Sequence, residues 1–466
     1  MIYLNSLSFF GFIISSLSAT RPSSPLLDSC SNRGQGNVSI GSHMSFTACL
    51  RSELGAPDSN SSKIVLPGDP SYPLSTLTYN LAIQRNSSAI VYVSTANDVS
   101  EAIKCASQFR IPVVARSGGH SYASFSSSPH GLIIDVTNLK DFSFATNHVG
   151  EIGEKAMRGA GPSFGIITSL TLRTHQAPTN VILFEIDYQF PNSDVAAANL
   201  YHFQSWGSRS APSQMGLRWS VKLNHTANSL TPRRLNWKLR GSYLGHLGRF
   251  DRVIDKLTSG FSVKGEVVKV QLYDWLESVR ALGGDRALSS EGINPSNHNA
   301  SYYAKSFIVR DVNPMSYSQW TTFTKKLYDI SAGIKTSEDL DWFVEIVLVG
   351  GRYQGQETGV RGSGSKTTSF GPRDALLLFQ MGGFGPKGAS LDHGDLMDTA
   401  KVTSDQVYDS LGGGRKELTG YNCYVDSEFS ADRAHREYFG EKNTEILKDL
   451  KNVWDPLRVF SHPHSF

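Results

Sequence analysis

The fold of this chain is indicated first by one stretch, Arg116-Ser117-Gly118-Gly119-His120-Ser121-Tyr122. It follows an apolar run, Ile111-Pro112-Val113-Val114-Ala115, which predicts a short strand that runs into a tight loop. Because paired glycines leave the loop without side chains, its N–H groups can approach and converge on an anion such as a pyrophosphate. The alternative is a plain turn with a hydrogen-bonded histidine, and short motifs often have that explanation.

Composition favours a soluble globular protein of two domains. The chain has 466 residues, which is more than one hydrophobic core usually organises. Hydrophobic residues make up 39% and charged residues 19%, which argues against a largely disordered chain. The formal net charge is only +3, and there is no long basic run, so nothing indicates a nucleic-acid partner.

The N-terminus has the pattern of a signal peptide. Residues 4–18 are apolar but too few to span a bilayer, and small residues close the segment. We expect residues 1–19 to be removed, with cleavage after Ser18 or Ala19, although the start of the segment lacks Lys and Arg. A buried N-terminal strand is the alternative, and the polar stretch 21–25 argues against it.

Two further features agree with secretion. Glycosylation sequons begin at five asparagines, namely Asn37, Asn60, Asn86, Asn224 and Asn299. Cys30 and Cys49 flank a short N-terminal segment and are the expected disulfide in an oxidising compartment. We expect Cys105 to be a buried thiol in a helix.

Strands and helices alternate in the first third of the chain. A strand is predicted at 89–93, and a helix at 98–109 with Asp98 as its N-cap and Glu101 at capping-box spacing. Thr95 is the alternative N-cap. After the strand at 111–115, another β-rich run is predicted at 166–172.

Beyond Asn180, long strands interleaved with helices predict an antiparallel sheet covered on one face. The predicted strands lie at 181–188, 237–243, 267–272, 343–349 and 375–380. The predicted helices lie at 195–206, 250–258 and 320–331. Glycine-rich stretches at 362–371 and 412–414 predict loop connections.

Further motifs accompany the glycine loop in a fixed order along the chain. They lie at 67–72, 79–81, 89–93, 105–108, 134–139, 158–168, 424–426, 438–440 and 454–460. Together with the loop, they resemble the berberine-bridge-enzyme-like oxidases of the vanillyl-alcohol-oxidase flavoprotein superfamily. The fungal branch that includes glucooligosaccharide oxidase is the most similar, whereas the middle of the chain, from about 178 to 412, resembles the family only weakly.

The resemblance implies an α+β fold, in which a two-part FAD-binding domain carries an inserted substrate domain of antiparallel sheet plus helices. The N-terminal part of the FAD-binding domain would be 28–177, the substrate domain 178–415, and the C-terminal segment returning to the FAD-binding domain 416–466. It also implies FAD attached covalently through His120. The implied cofactor contacts are Arg116, Ser117, Gly118, Gly119, His120, Ser121, Gly159, Gly161, Phe164, Gly165 and Ile166.

Four residues are implied to be catalytic: Tyr421, Tyr424, Gln380 and Glu345. In relatives, one tyrosine of the C-terminal motif deprotonates a substrate hydroxyl. Because the ordinary tyrosine pKa is about 10, this needs a cationic neighbour or a hydrogen-bond donor. The alternative is that both rings only pack, and Cys423 stands where relatives usually have asparagine.

Gln380 and Glu345 fall on strands that line the substrate pocket in relatives. Some sugar-oxidising relatives carry an acid at the position of Val347, which shares a strand face with Glu345. Glu345 could therefore substitute for that acid, but a solvated carboxylate is the favoured interpretation.

One segment departs from the family pattern. Only 141–157 separates the strand near Leu139 from the second glycine motif, and it contains no cysteine and no double glycine. In relatives a longer segment carries a second flavin loop and, in many fungal members, a cysteine bonded to the flavin. The chain could be an incomplete gene model, a relative that no longer binds FAD, or an enzyme that holds FAD in a shortened site through His120.

We therefore expect a secreted FAD-dependent oxidoreductase that oxidises a hydroxyl-bearing small molecule, either a carbohydrate or a secondary metabolite, with oxygen as acceptor. It would act as a monomer without nucleic acid, membrane or metal partners. The alternative is a non-catalytic secreted relative, or an incomplete gene model, that does not bind FAD. The stretch 161–165 also fits Gly-x-Ser-x-Gly, but the expected β-rich run after it marks a chance match.

Overall fold

The computed structural model describes residues 17–18, 45–55, 63–140, 154–172, 176–223, 235–284, 301–333, 341–350, 368–385, 394–412 and 419–466. The strands are β1 Leu17–Ser18, β2 Lys63–Val65, β3 Ala89–Tyr92, β4 Val113–Arg116, β5 Leu132–Asp135, β6 Thr171–Leu172, β7 Val181–Tyr188, β8 Met215–Leu223, β9 Leu235–Leu244, β10 Glu266–Tyr273, β11 Tyr302–Arg310, β12 Asp341–Leu348 and β13 Ala375–Phe384. The helices are α1 Phe46–Leu54, α2 Tyr72–Ser75, α3 Ala96–Gln108, α4 Glu154–Ala160, α5 Ser193–Arg209, α6 Leu247–Thr258, α7 Trp275–Gly283, α8 Tyr317–Gly333, α9 Gly394–Ser410 and α10 Ala431–Trp454.

The N-terminal part is built on a four-stranded sheet of order β2-β3-β5-β4. β3, β5 and β4 are parallel neighbours, and β2 pairs antiparallel with β3. α3 connects β3 to β4, and the Thr95 hydroxyl accepts a hydrogen bond from the backbone N–H of Asp98 at 3.1 Å. Thr95 is therefore the N-cap. The prediction of Asp98 was wrong because Asp98 is the third helical residue, whose carboxylate returns a bond to the Thr95 N–H.

A disulfide joins the first helix to this sheet's connecting helix. Cys49 of α1 and Cys105 of α3 are both buried and bonded, with their Cα atoms 5.9 Å apart. The predicted Cys30–Cys49 pair and the predicted free thiol of Cys105 are therefore wrong. The reason is tertiary, because α1 packs across α3 and brings two cysteines together that are 56 residues apart. Cys30 lies outside the described residues.

The larger sheet is antiparallel throughout, with the order β10-β7-β9-β8-β12-β13-β11. Helices α5, α6, α8 and α9 cover one face and form the main core with it. Trp219 and Trp237 point into that core and are fully buried. Since side chains alternate along a strand, Arg218 and Ser220 lie on the opposite face. The α+β fold and the sheet covered on one face are as predicted.

Several elements differ from the sequence predictions. β8 and β11 were not predicted. The β-rich run expected at 166–172 is reduced to β6, which pairs with β1. Residues 167–170 lie between a 3-10 turn and β6 and are exposed, and none of the described strands pairs with them. β1 falls within the predicted signal peptide, and most of that segment lies outside the described residues.

The C-terminal segment contacts both sheets. The Val113 N–H at the start of β4 donates to the Val459 carbonyl at 2.7 Å, and Phe460 packs against the core beneath the smaller sheet. At the other end, the Ile308 N–H of β11 donates to the Thr419 carbonyl at 2.8 Å. The tyrosine motif that follows position 419 is therefore held between the two sheets.

Candidate active site

The glycine loop leaves the carboxyl end of β4 from a fixed anchor. Arg116 is 6% exposed, and its guanidinium donates to the Asp135 carboxylate at 2.5 Å. It also donates to the Ser75 carbonyl at 2.6 Å and to the Tyr92 hydroxyl at 3.3 Å. The Arg116 side chain is therefore committed to protein groups, and it fixes the point where the loop begins.

The loop fits a diphosphate. Within the described part of the chain, no oxygen accepts a hydrogen bond from the N–H groups of Ser117, Gly118 or Gly119. Ser117 and Gly118 are exposed, and Gly119 has a φ of +69°, which turns the backbone without steric strain. Successive N–H donors around such a turn form an anion-binding concavity. The residues present are therefore compatible with the pyrophosphate of FAD.

A continuous series of rings leads from His120 to the C-terminal motif. The His120 ring lies 5.5 Å from that of Tyr79, which lies 6.0 Å from the ring of Tyr122. Tyr122 stacks on Tyr424 at 5.4 Å, and Tyr424 meets Tyr421 edge-on at 5.1 Å. The predicted flavin-linking histidine and both predicted base candidates thus belong to one aromatic cluster.

Ser306 of β11 holds the two tyrosines at the sheet. Its hydroxyl accepts from the Tyr421 N–H at 2.8 Å and lies 3.2 Å and 3.1 Å from the carbonyls of Tyr421 and Tyr424. The backbone between the two rings is therefore fixed to the strand that borders Gln380. Because the backbone is fixed, the ring positions follow from side-chain torsions alone.

Gln380 on β13 points into the aromatic cluster. It is 8% exposed, and its amide donates to the Tyr302 hydroxyl at 3.1 Å and to the Tyr122 hydroxyl at 3.3 Å. Asn80 supports the same pair, since its amide donates to the carbonyls of Tyr122 and Tyr302 at 2.8 and 2.7 Å. The cluster is thus fixed both from β13 of the larger sheet and from Asn80 in the N-terminal part of the chain.

Burial controls the acidity of these rings. It raises the pKa of Tyr79, Tyr122, Tyr302 and Tyr421 above the ordinary value. The Cys423 thiol raises the Tyr421 pKa further. Although Cys423 as a residue is exposed, its thiol faces Tyr421, and burial raises the thiol pKa. Tyr421 is therefore poorly prepared to ionise.

The second glycine segment lies against the tyrosine motif. Gly159 has a φ of +121°, and a Cβ there would lie 2.6 Å from the Ser369 hydroxyl. The Ser369 N–H donates to the Arg158 carbonyl at 2.9 Å, and the Asn422 amide donates to the Gly159 carbonyl. The segment therefore requires glycine at this position and contacts the residue next to Tyr421.

The rest of that segment is anchored by the last helix. Gly161 opens a 3-10 turn that ends at Ser163, whose carbonyl accepts a hydrogen bond from the buried Lys451 ammonium. Phe164 is buried in a cluster with Leu447, while Gly165 and Ile166 are partly buried. Ile166 packs against the core of the smaller sheet. The structure therefore places Phe164 and Ile166 in packing positions.

Glu345 is buried, so the expectation of a solvated carboxylate was wrong. It is 2% exposed, its Oε1 accepts from the Ser220 hydroxyl at 2.8 Å, and its Oε2 lies 3.7 Å from Nε of Arg218. It pairs in register with Gln380, and Val347 on the same face packs with Tyr424. The shared face predicted for Glu345 and Val347 is therefore present.

Arg218 was missed by the sequence analysis because β8 was missed. The strand alternates apolar Leu217, Trp219 and Val221 with polar Arg218 and Ser220, and all three apolar residues are fully buried. That period of two was the available signal. Burial lowers the Arg218 pKa, the Glu345 carboxylate raises it, and an ionised Tyr424 would raise it as well.

The Gly-x-Ser-x-Gly stretch does not form a nucleophile site. Nε2 of His462 lies 3.2 Å from the Ser163 hydroxyl. However, Nδ1 of His462 accepts the His464 N–H, so Nε2 carries the proton and donates to the serine. Burial also lowers the His462 pKa to about 3. The imidazole therefore cannot act as a base toward Ser163.

The described residues contain neither a candidate metal site nor a helix suited to cross a bilayer. They contain no group of three His, Cys, Asp or Glu residues that could hold a metal ion. Their helices include none that is long and apolar enough to cross a bilayer.

Two protein families match parts of the chain. The FAD binding domain family matches residues 87–152, which include the glycine loop, and the family described as berberine and berberine like matches residues 419–466, which include both tyrosines. Both matches fall on the segments that form the aromatic cluster.

Full-length relatives and solved structures agree with these families. FAD-linked oxidoreductase sorD of Penicillium rubens is 24% identical over 90% of this chain and 98% of its own length. Chitooligosaccharide oxidase of Gibberella zeae is 22% identical over 85% and 91%. Glucooligosaccharide oxidase from Acremonium strictum, studied for its 6-S-cysteinyl, 8α-N1-histidyl FAD, has a TM-score of 0.70 at 15% identity and covers 90% of this chain and 98% of its own. The resemblance to the berberine-bridge-enzyme-like oxidases is confirmed, and the chain is a FAD-linked oxidoreductase.

Proposed function

We propose that this protein oxidises a hydroxyl-bearing small molecule, with FAD linked through His120 and oxygen as the final acceptor. The aromatic series from His120 to Tyr424 carries the proposal, because it puts the linking residue and the base within one cluster. The histidyl-linked FAD named for glucooligosaccharide oxidase supports the role of His120. When bound, FAD supplies a hydride acceptor that oxygen can reoxidise.

The loop residues hold the cofactor in different ways. Ser117, Gly118 and Gly119 offer backbone N–H groups to the diphosphate. Arg116 anchors the loop through Asp135, and the Ser121 hydroxyl accepts from the Phe125 N–H at 2.9 Å, which closes the turn beyond it. These last two residues therefore act by shaping the loop.

We assign the base to Tyr424. Its ring is buried and stacked on Tyr122, and its backbone is fixed through Ser306. Tyr424 takes the proton of the substrate hydroxyl, and general-base catalysis of this kind contributes about 10²–10⁴-fold. Tyr421 is the weaker candidate because burial and the Cys423 thiol both raise its pKa.

A polyhydroxylated substrate suits the polar face of the larger sheet, which lies opposite the face covered by helices. One row of cross-strand partners carries polar side chains, which are Ser306, Gln380, Glu345, Ser220, Lys238 and Asp187. Hydroxyl-rich ligands need several hydrogen-bonding groups at fixed spacing. The name of the Gibberella zeae relative also supports a carbohydrate. We therefore propose a carbohydrate as the substrate in preference to a secondary metabolite.

A non-catalytic relative is the second candidate. It is favoured by the shortness of 141–157, of which 141–153 lies outside the described residues, and by Cys423 between the two tyrosines. Peroxide detection with oligosaccharides and with aromatic alcohols separates the two candidates. Turnover of a carbohydrate supports the proposal, turnover of aromatic alcohols alone shifts the substrate class, and flavin-loaded protein inert to both classes supports the non-catalytic relative.

We also propose secretion and the domain division given by the sequence. The Cys49–Cys105 disulfide suits an oxidising compartment, and Asn86 at the start of a sequon is exposed. Domains at 28–177, 178–415 and 416–466 agree with the two sheets and the returning segment. A mass decrease on treatment with an endoglycosidase would support secretion, and a protein found only unglycosylated inside the producing cells would oppose it.

A further inference from the structure

We propose that Arg218, held in place by Glu345, is the cationic group that stabilises the phenolate of Tyr424. Arg218 is then a positioning residue that acts through Tyr424 and sets the pH range in which the base works. The inference rests on the proposed function only in taking Tyr424 as the base. It supplies one of the two kinds of group that can stabilise a phenolate, namely a nearby cation.

The register of the larger sheet brings the two side chains together. One cross-strand row runs from Ile308 through Leu378 and Val347 to Arg218. Tyr424 packs in one cluster with the first three of these residues. Directly opposed side chains in neighbouring strands are about 5 Å apart at their Cβ atoms, so Arg218 is one strand beyond the surface that Tyr424 covers.

The charged guanidinium of Arg218 is largely buried from solvent. Its side chain is 12% exposed, and burial lowers its pKa, but a guanidinium remains charged at any working pH. An ionised Tyr424 raises the Arg218 pKa, which means that the two groups interact electrostatically. By reciprocity, the guanidinium favours the ionised form of Tyr424, and low local solvation strengthens that effect.

Glu345 both holds and offsets this cation. Its carboxylate is fixed by Ser220 at 2.8 Å, while the closest approach to Arg218 is 3.7 Å. The pair is therefore a loose ion pair, and the guanidinium is incompletely neutralised. Removing the Glu345 charge should leave more positive potential at Tyr424, and removing the Arg218 charge should leave less.

The other cations of this face are better neutralised. Arg240 is opposite Arg218 on β9 and pairs with Glu185 at 2.6 Å, and Lys238 pairs with Glu185 at 2.7 Å and with Asp187 at 3.1 Å. Both are also more exposed than Arg218. Arg240 therefore provides a matched control, because it is one strand farther from Tyr424 in the same row.

The test is an NMR titration of the full-length protein labelled with ¹³C at the tyrosine ζ carbon. The Tyr424→Phe variant assigns the signal. We expect Arg218→Met to raise the Tyr424 pKa by about one unit or more, which is a tenfold change in ionisation. Glu345→Gln should lower the same pKa, Arg218→Lys should largely retain the wild-type value, and Arg240→Met should leave it unchanged.

Opposite signs for the two partners are the decisive result. A merely structural ion pair predicts that Arg218→Met and Glu345→Gln disturb Tyr424 in the same direction, and that result, or no shift in either variant, overturns the proposal. If Arg218→Met does not fold, Glu345→Gln and Arg218→Lys still show the direction in which the Tyr424 pKa changes. The titration needs neither substrate nor turnover, so it tests the inference independently of the proposed function. Normal turnover in Tyr424→Phe would show separately that Tyr424 is not the base.

Discussion

The ring of Tyr122 stacks on that of Tyr424 with centroids 5.4 Å apart and planes at 21°. Tyr122 lies two residues after His120, and Tyr424 belongs to the segment that returns from the end of the chain. The contact therefore links the flavin loop to the proposed base across more than half of the sequence. It explains why neither end of the chain could form the site alone.

The two tyrosines of the C-terminal motif should differ in their effect on catalysis. Tyr424→Phe should slow flavin reduction by the substrate about 10²–10⁴-fold, because the hydroxyl proton then has no acceptor. Tyr421→Phe should slow it far less, since burial and Cys423 already hold that phenol protonated. Single-turnover reduction followed by flavin absorbance measures both. Equal losses in the two variants would contradict the assignment.

Asn80 should contribute to stability as well as to the site. Its side chain makes four hydrogen bonds, two to the carbonyls of Tyr122 and Tyr302 and two from the N–H groups of Tyr302 and Ala82, each at 3.0 Å. Asn80→Ala leaves these groups unsatisfied, so we expect a loss of about 1–3 kcal/mol in the free energy of unfolding. Urea denaturation measures it. Gln84→Ala, at an exposed position nearby, serves as the control and should change stability little.

The Cys49–Cys105 disulfide should stabilise the N-terminal part strongly. It closes a loop of 56 residues, for which the chain-entropy estimate is about 4 kcal/mol. Cys105→Ser should lower the denaturation midpoint accordingly, whereas Cys423→Ser should not, because Cys423 is free. A Cys30→Ser variant as unstable as Cys105→Ser would instead favour the pairing expected from the sequence.

Much of the fold could be predicted from local pattern. β7 agrees with the predicted bounds, and the predicted helix at 320–331 lies within α8. Periodic apolar residues determine such elements because they must face one core. The glycine loop was predicted from paired glycines that follow an apolar run, and the further motifs along the chain, rather than the glycines alone, distinguished it from a plain turn. Arg218 was lost because the alternation in β8 was overlooked.

Contacts between residues that are far apart in the chain could not be predicted from the sequence. The burial of Glu345 depends on Ser220 and Arg218, which come from a different strand about 125 residues away. The partner of Cys49 depends on how α1 crosses α3. The N-cap of α3 was misjudged for a local reason, because both Thr95 and Asp98 are good caps and only the hydrogen bonds decide between them.

Acid should destabilise the protein through a buried histidine cluster at the C-terminal segment. Burial lowers the pKa of His435 and His464, and it lowers that of His462 from 6.5 to about 3. Repulsion from the charged forms of His464, Lys451, His435 and Arg85 lowers the His462 pKa further. The pKa of such a histidine is lower in the folded protein than in the unfolded chain. The folded protein therefore has its full stability at pH values above the unfolded pKa, where the imidazole is neutral in both states. That stability is lost as the pH falls from about 6.5 toward the folded value.

For His462 alone, the expected loss between about pH 7 and pH 5 is ~2 kcal/mol. His462→Asn keeps an acceptor for the His464 N–H but does not titrate, so its stability should fall by that much less over the same range. Chemical denaturation at both pH values measures the difference. Exposed His130→Asn is the control. A His462→Asn variant with the full wild-type pH dependence would contradict the assignment.

The most direct test of the central claim is the visible absorption spectrum of the purified protein before and after acid precipitation. We predict a flavin band that stays with the precipitate in the wild type and moves to the supernatant in His120→Ala, because His120 holds the cofactor covalently. Ser117→Ala keeps the loop N–H groups and should behave as the wild type. A colourless wild-type protein, or flavin still attached in His120→Ala, would contradict the account.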